Sequence, residues 1–136
     1  MNGYSYLTPS NLLAQGSKPP VGVPLPFDVV VLAAWEHQYD MPGFEVIKVP
    51  LDDEFEEPVT EEDRKSIRDA ARAVARHIRA RRRVLVTCHA GRNRSGVIAG
   101  LALVQLGVPG REAARRIRHL RDGLTNPHFH RMVIGS

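Results

Sequence analysis

The chain has 136 residues, 43% of them apolar and 25% charged, with a formal net charge of +4 and one cysteine. These values fit one globular domain with a single core, and they exclude a disulfide-stapled scaffold and a low-complexity chain. The charge is unevenly divided: residues 1–63 hold twelve Asp/Glu against two Lys/Arg, and residues 64–136 hold seventeen Lys/Arg against three Asp/Glu.

Residues 1–26 are rich in Gly, Pro, Ser and Asn, with Lys18-Pro19-Pro20 and Val23-Pro24-Leu25-Pro26 interrupting regular structure, so only a short strand around Leu12–Ala14 is predicted there. Phe27–Leu32 reads as a buried strand, because Val29-Val30-Val31-Leu32 is a short β-branched run. Residues 33–43 follow as a loop carrying Trp35, Glu36, His37, Gln38 and Tyr39. This loop is either one wall of a substrate pocket or, for Trp35, the place of a core anchor. Phe44–Val49 alternates as a second strand and is expected to stop at Pro50.

Thr60-Glu61-Glu62-Asp63 has the form of a helix start, with Thr60 as cap and acids in the first turn where they meet the positive end of the dipole. Ile67, Ala70, Ala71, Val74, Ala75 and Ile78 then recur at helical spacing. Arg79, Arg81, Arg82 and Arg83 end that helix and read as a solvated patch. Val84–Thr87 is the central strand, residues 88–94 a loop, and Ser95–Leu106 an apolar helix ended by Gly107. Glu112–Arg121 gives another helix with Ala113, Ala114, Ile117 and Leu120 inward, and Asn126-Pro127 opens the last with cap and N1 proline in their favoured places. The expectation is an α/β fold: a single domain over residues 1–136, with a central, mostly parallel sheet of four to five strands flanked by helices.

The chemistry concentrates in Cys88-His89-Ala90-Gly91-Arg92-Asn93-Arg94-Ser95-Gly96, which follows the apolar strand directly. A thiol ahead of an arginine by five intervening residues lets a tight loop curl around a tetrahedral dianion. Its N–H groups face inward as a nest, and the helix after Ser95 aims its positive end at the same point. The stretch His89, Ala90, Gly91, Arg92, Asn93 and Arg94 is therefore the candidate phosphate-binding segment. Arg94 supplies a planar fork that lysine cannot, and the positive surroundings favour the thiolate, the nucleophilic form of cysteine. Gly91 suits a place where a side chain would collide or require positive φ. Ser95 can donate its hydroxyl to the sulfur and ease its departure.

Thr87-Cys88-His89-Ala90-Gly91-Arg92-Asn93-Arg94-Ser95-Gly96 resembles the signature loop of the cysteine-dependent protein tyrosine phosphatase superfamily, in its compact dual-specificity branch. Leu7-Thr8-Pro9-Ser10 and Ala14-Gln15-Gly16-Ser17 are similar to that family's opening strand, Val49-Pro50-Leu51-Asp52-Asp53 to its general-acid loop, and Asn126-Pro127-His128-Phe129 to its closing helix. The resemblance implies a phosphatase-like fold, Cys88 as nucleophile and a phosphocysteine intermediate. The family's offset from the proline points to Asp53 as general acid, with Asp52 as the alternative. Two departures stand out: Thr87 replaces the histidine that usually precedes the cysteine, and His89 and Arg92 make the loop unusually cationic, as in phosphoinositide-directed members.

The resulting expectation is a phosphoric monoester hydrolase for phosphotyrosine proteins, and for phosphoserine or phosphothreonine ones, through a shallow pocket. The rivals are a phosphatase for a nonprotein polyanion, a phosphoinositide or the 5′ end of RNA, and a phosphate-binding module that does not turn over. Nucleic acid is the other polyanion that the basic half would suit. No cofactor and no metal are expected: Asp52-Asp53-Glu54-Phe55-Glu56-Glu57 lacks the spacing of a calcium loop, and His119, His128 and His130 are too weakly patterned for a metal set. No run of about 18 apolar residues and no leader pattern occur, so no membrane span is expected. With a single thiol the location is expected to be cytoplasmic.

Overall fold

Five strands and four helices are arranged along residues 3–136, the part of the chain that the computed structural model describes. The strands are β1 (Tyr4–Tyr6), β2 (Leu13–Gly16), β3 (Val29–Ala34), β4 (Glu45–Leu51) and β5 (Val84–Thr87). The helices are α1 (Glu61–Arg79), α2 (Arg94–Gln105), α3 (Gly110–Arg121) and α4 (Pro127–Ile134). The sheet order is β1-β2-β5-β3-β4, parallel throughout except for the β1–β2 pair. β5 lies in the middle, with Thr87 level with Gly16 on one side and Leu32 on the other. Three chain segments thus leave the same edge of the sheet beside Cys88, the position that parallel α/β sheets reserve for ligands.

Alternation along β3 divides the core. Val29, Val31 and Ala33 pack with Val84 and Val86 under the helices, while Val30, Leu32 and Leu85 face a second cluster with Ala14, Phe27 and Met41. Tyr4 and Tyr6 close that second face with edge-on and tilted contacts to Phe27. The helical face is built largely from α1 and α2. All six apolar residues of the α1 stripe are buried, and burying each isoleucine of that stripe is worth roughly 1.5–3 kcal/mol. Thr60 Oγ1 accepts the Asp63 N–H at 3.1 Å, as an N-cap should.

Where the elements differ from expectation, the reasons are local. β4 runs through Pro50 to Leu51, because β4 is an edge strand and a missing N–H there faces solvent. β1 was hidden in a Gly/Ser/Tyr segment too short to show a period. Leu120 is exposed, standing in the last turn of α3 past Ile117, the final buried residue of that helix. Trp35 is 60% exposed and so is no core anchor. Of the basic run at the end of α1, Arg82 bonds Glu45, Arg83 bonds Asp28, and Arg79 donates to the Gln105 carbonyl.

Candidate active site

The chain leaves β5 at Thr87 and curls through residues 88–93 before α2 begins at Arg94. The carbonyls of this loop are turned outward and anchored. His89 O accepts from Lys18 N at 3.1 Å, Gly91 O from the Gln15 amide and from Arg121 Nε at 3.1 Å each, and Arg92 O from Leu124 N at 3.2 Å. In a trans peptide the next N–H points the opposite way. The N–H groups of Ala90, Arg92 and Asn93 are thereby aimed into the curl, and none has a protein acceptor among the described residues. Together with the N-terminus of α2 they form an anion cradle. Gly91 sits at φ +71°, and a Cβ on it would lie 2.5 Å from the Gly16 carbonyl carbon, so both the backbone conformation and the packing require glycine.

Cys88 lies buried at the bottom, with Sγ 3.2 Å from Ser95 Oγ. Ser95 Oγ in turn accepts an N–H from the Gln15 amide at 3.1 Å. With that acceptor position filled, the serine's own hydrogen is left for the sulfur when the sulfur is a thiolate. Thr87 plays no part in this. Its hydroxyl donates to Val31 O at 2.7 Å and ties β5 to β3.

Arg94 is nearly buried and carries five N–H groups. Nη1 donates to Glu36 Oε1 at 2.5 Å and to Leu51 O at 3.1 Å, and Nη2 donates to Glu36 Oε2 at 2.9 Å. The two donors with no partner among the described residues, Nε–H and the second Nη2–H, lie on one edge of the plane as a side-on fork that suits two oxygens of a tetrahedral anion. Burial pulls the Arg94 pKa down, but the hydrogen bonds to Glu36 and the negative charges of Cys88, Glu36 and Asp53 leave it raised. The same pair holds Glu36 at about 2, chiefly through the Arg94 hydrogen bonds. Arg121, behind the loop, has its pKa lowered by burial, partly offset by Cys88.

The two acidic candidates diverge. Asp53 faces the loop: Oδ2 accepts from Asn93 Nδ2 and Oδ1 from Asn126 Nδ2, both at 2.9 Å. Asp52 turns toward the start of α1, where Asp63 has its pKa raised by burial and then by the charges of Glu62 and Asp52. Asn93 itself bonds outward, to Asp53, to Thr125 and to the Asn126 N–H. His89, Ala90 and Arg92 are exposed at the rim, and His89 Nδ1 lies 2.9 Å from His37 Nε2.

Sequence reasoning gave no role at the site to Gln15 or to His128, whose Nε2–H donates to Phe55 O at 2.8 Å and ties the acidic loop to α4; it placed Glu36 only on a loop that could wall the pocket, and Asn126 only as the cap of the last helix, which it is. The one available signal was Gln15, a lone amide in a strand otherwise made of small and apolar residues.

A strand–cradle–helix unit with a buried thiol, a forked arginine and a carboxylate brought over it defines a class, and the comparisons agree. The sequence model of the tyrosine phosphatase family matches residues 39–115, and the chain belongs to that family. By sequence alone no curated protein matches the chain. Among solved structures, human DUSP28 superposes with TM-score 0.80 at 20% identity, covering 98% of this chain and 91% of that one. OH1 of Orf virus, a tyrosine phosphatase, gives 0.72 at 22% identity over 98% and 85%. PTPMT1, solved in complex with PI(5)P, gives 0.72 at 15% identity over 98% and 94%. The fold is therefore that of the dual-specificity phosphatases. Among the described residues no helix is long and apolar enough to cross a membrane.

Proposed function

We propose that this protein hydrolyses phosphomonoesters of tyrosine, and of serine and threonine, in proteins through a phosphocysteine intermediate. The observation that carries the reading is the pairing of one unoccupied arginine fork with a buried sulfur at the base of an inward-facing N–H cradle. The Cys88 thiolate attacks phosphorus as the bond to the ester oxygen breaks, and that oxygen leaves as an alcohol or phenol with a proton from Asp53. The cradle and Arg94 hold the three equatorial oxygens throughout. Asp53, now a carboxylate, then takes a proton from water as the water attacks phosphorus and releases inorganic phosphate. Ser95 donates to the departing thiolate. Asp53 rather than Asp52 fits this role, since only Asp53 is bonded to the loop. The partner is thus a phosphorylated protein, and no metal takes part.

One observation favours a second reading, a phosphatase for a nonprotein polyanion. His89 and Arg92 are exposed on the rim beside a strongly basic C-terminal half, and PTPMT1 of similar fold was solved with PI(5)P. The test is turnover of phosphotyrosine, phosphoserine and phosphothreonine peptides beside phosphoinositides and 5′-phosphorylated RNA, with EDTA present, for wild type and Cys88→Ser. EDTA-resistant peptide turnover that Cys88→Ser abolishes supports the proposal. Preference for lipid or RNA replaces it with the second reading, and binding without wild-type turnover replaces it with a phosphate-binding module.

A further inference from the structure

At the rim of the cradle, Glu36 and His37 from the loop after β3 meet His89 from the loop after β5, with one ligand atom of each lying within 4.8 Å of the others. The two imidazoles meet edge to edge, their centroids 5.1 Å and their planes 26° apart, with His37 Nε2 and His89 Nδ1 separated by 2.9 Å. We infer that His37, His89 and Glu36 form a zinc site that straddles the mouth of the phosphate pocket and shuts it when filled. Two histidine nitrogens at zinc–nitrogen distances of 2.0–2.1 Å around a tetrahedral ion lie roughly 3.3 Å apart, so to admit the ion the nitrogens part by roughly 0.4 Å and each ring turns by roughly 35°, until the lone pairs now aimed at one another converge on it. The ion takes the place of the hydrogen that now links the rings.

Glu36 supplies the third ligand without releasing Arg94. An ionised carboxylate offers about four lone-pair directions, and Arg94 uses two of them. Two imidazoles and one carboxylate with a fourth position open is a donor set for zinc, and its nitrogen content disfavours magnesium and calcium. Both histidines are solvent-accessible, so the ion has an entry path. Once bound, it staples residue 37 to the residue next to the nucleophile, across the opening through which a phosphate must pass. No spacing in the sequence reveals the site, because 52 positions separate His37 and His89.

The test measures zinc affinity of the whole chain by competition with a chromophoric chelator, with cobalt as a spectroscopic stand-in. Removing a partner behind a metal ligand typically costs roughly 10–100-fold in affinity, so His37→Gln and His89→Gln, which remove ligands outright, are expected to weaken zinc by about 100-fold or more. Cys88→Ser should bind within about threefold of wild type, and cobalt should show no sulfur charge-transfer band. Affinity lost in Cys88→Ser, or kept in His37→Gln, overturns the site. Saturating zinc should stop wild-type turnover, EDTA should restore it, and His37→Gln should turn over at one rate, the same with and without zinc. Turnover unchanged at saturating zinc overturns the closure. The affinity measurement needs no turnover, so a failure of the phosphatase reading leaves it decisive.

Discussion

The two walls of the candidate site are built on opposite principles. The phosphate wall is buried and anchored: Cys88, Asn93, Arg94, Ser95 and Gln15 are all in the interior, and each outward carbonyl of the loop has a partner from β2, α3 or the turns beside them. The acid wall, residues 52–58, is exposed along its whole length and is held by the side chains of Asn93, Asn126 and His128. The difference suits what the proposed mechanism asks of each. Holding a dianion through a transition state rewards dipoles that need no reorganisation. Passing a proton to a leaving group and then taking one from water requires a carboxylate that water can reach. A segment with few buried contacts also opens at lower free energy than the core, so the acid wall is the part able to move.

The largest effect should come from breaking the rigid wall at its fork. Arg94→Lys keeps a positive charge but removes the side-on pair of N–H donors, and kcat/KM should fall about 10³-fold on every substrate. A loss below about tenfold would mean that charge alone, not the fork, holds the phosphate. Breaking the acid wall should cost less and depend on the leaving group. Asp53→Asn is expected to lower kcat about 10²-fold for an alkyl or phenyl ester and to remove the basic limb of the pH profile, with a smaller loss on p-nitrophenyl phosphate. Asp52→Asn should stay within about twofold, because Asp52 faces α1. The reverse ranking would exchange the two roles.

The asymmetry also explains what could be read in advance. The cradle was legible because its parts are adjacent in sequence: a β-branched strand, a thiol, a glycine, an arginine and a helix start lie within residues 84–96. The sheet and α1 were legible for the same reason, as local periods and a local cap. The groups that hold the cradle are not local. Gln15 reaches Gly91 from β2, Glu36 reaches Arg94 across 58 positions, and Asn126 reaches Asp53 across 73. A polar residue in a loop carries no mark of the partner to which folding will bring it. The position of Thr87 shows the converse. Its departure from the family pattern was visible at once, but only the hydrogen bond to Val31 O shows that the hydroxyl belongs to the sheet.

Gln15 separates holding from folding within the rigid wall. Its amide nitrogen serves Gly91 O and Ser95 Oγ, while its buried Oε1 has no partner among the described residues. Gly91 O keeps Arg121 if the amide is lost. Gln15→Leu therefore trades hydrogen bonds against the relief of an unsatisfied acceptor, and stability should change by no more than about 1 kcal/mol in urea unfolding. Turnover should still fall about tenfold, in the phosphocysteine breakdown step, because Ser95 then loses the donor that orients its hydroxyl toward the sulfur. Equal losses in both measurements would reduce Gln15 to a packing residue.

The smallest effect belongs to the seam between the walls, where Glu36 clamps Arg94. The Arg94 hydrogen bonds depress the Glu36 pKa from 4.5 to about 2, so the folded state favours the ionised carboxylate. The sign follows directly: the unfolded chain takes up the proton first as pH falls, so the stabilisation is complete above 4.5 and drains away as pH drops toward about 2. Glu36→Gln can still accept one bond from Arg94 but has no charge to lose. The difference in thermal midpoint between wild type and Glu36→Gln should thus be full near neutral pH and shrink through that acid window. Partial exposure of the carboxylate and salt screening limit the difference to about 1 kcal/mol or less, roughly 3–5 °C for a domain of this size. A gap that stays constant across the window would mean that the fork is set by hydrogen bonding to Glu36 and to Leu51 O rather than by charge.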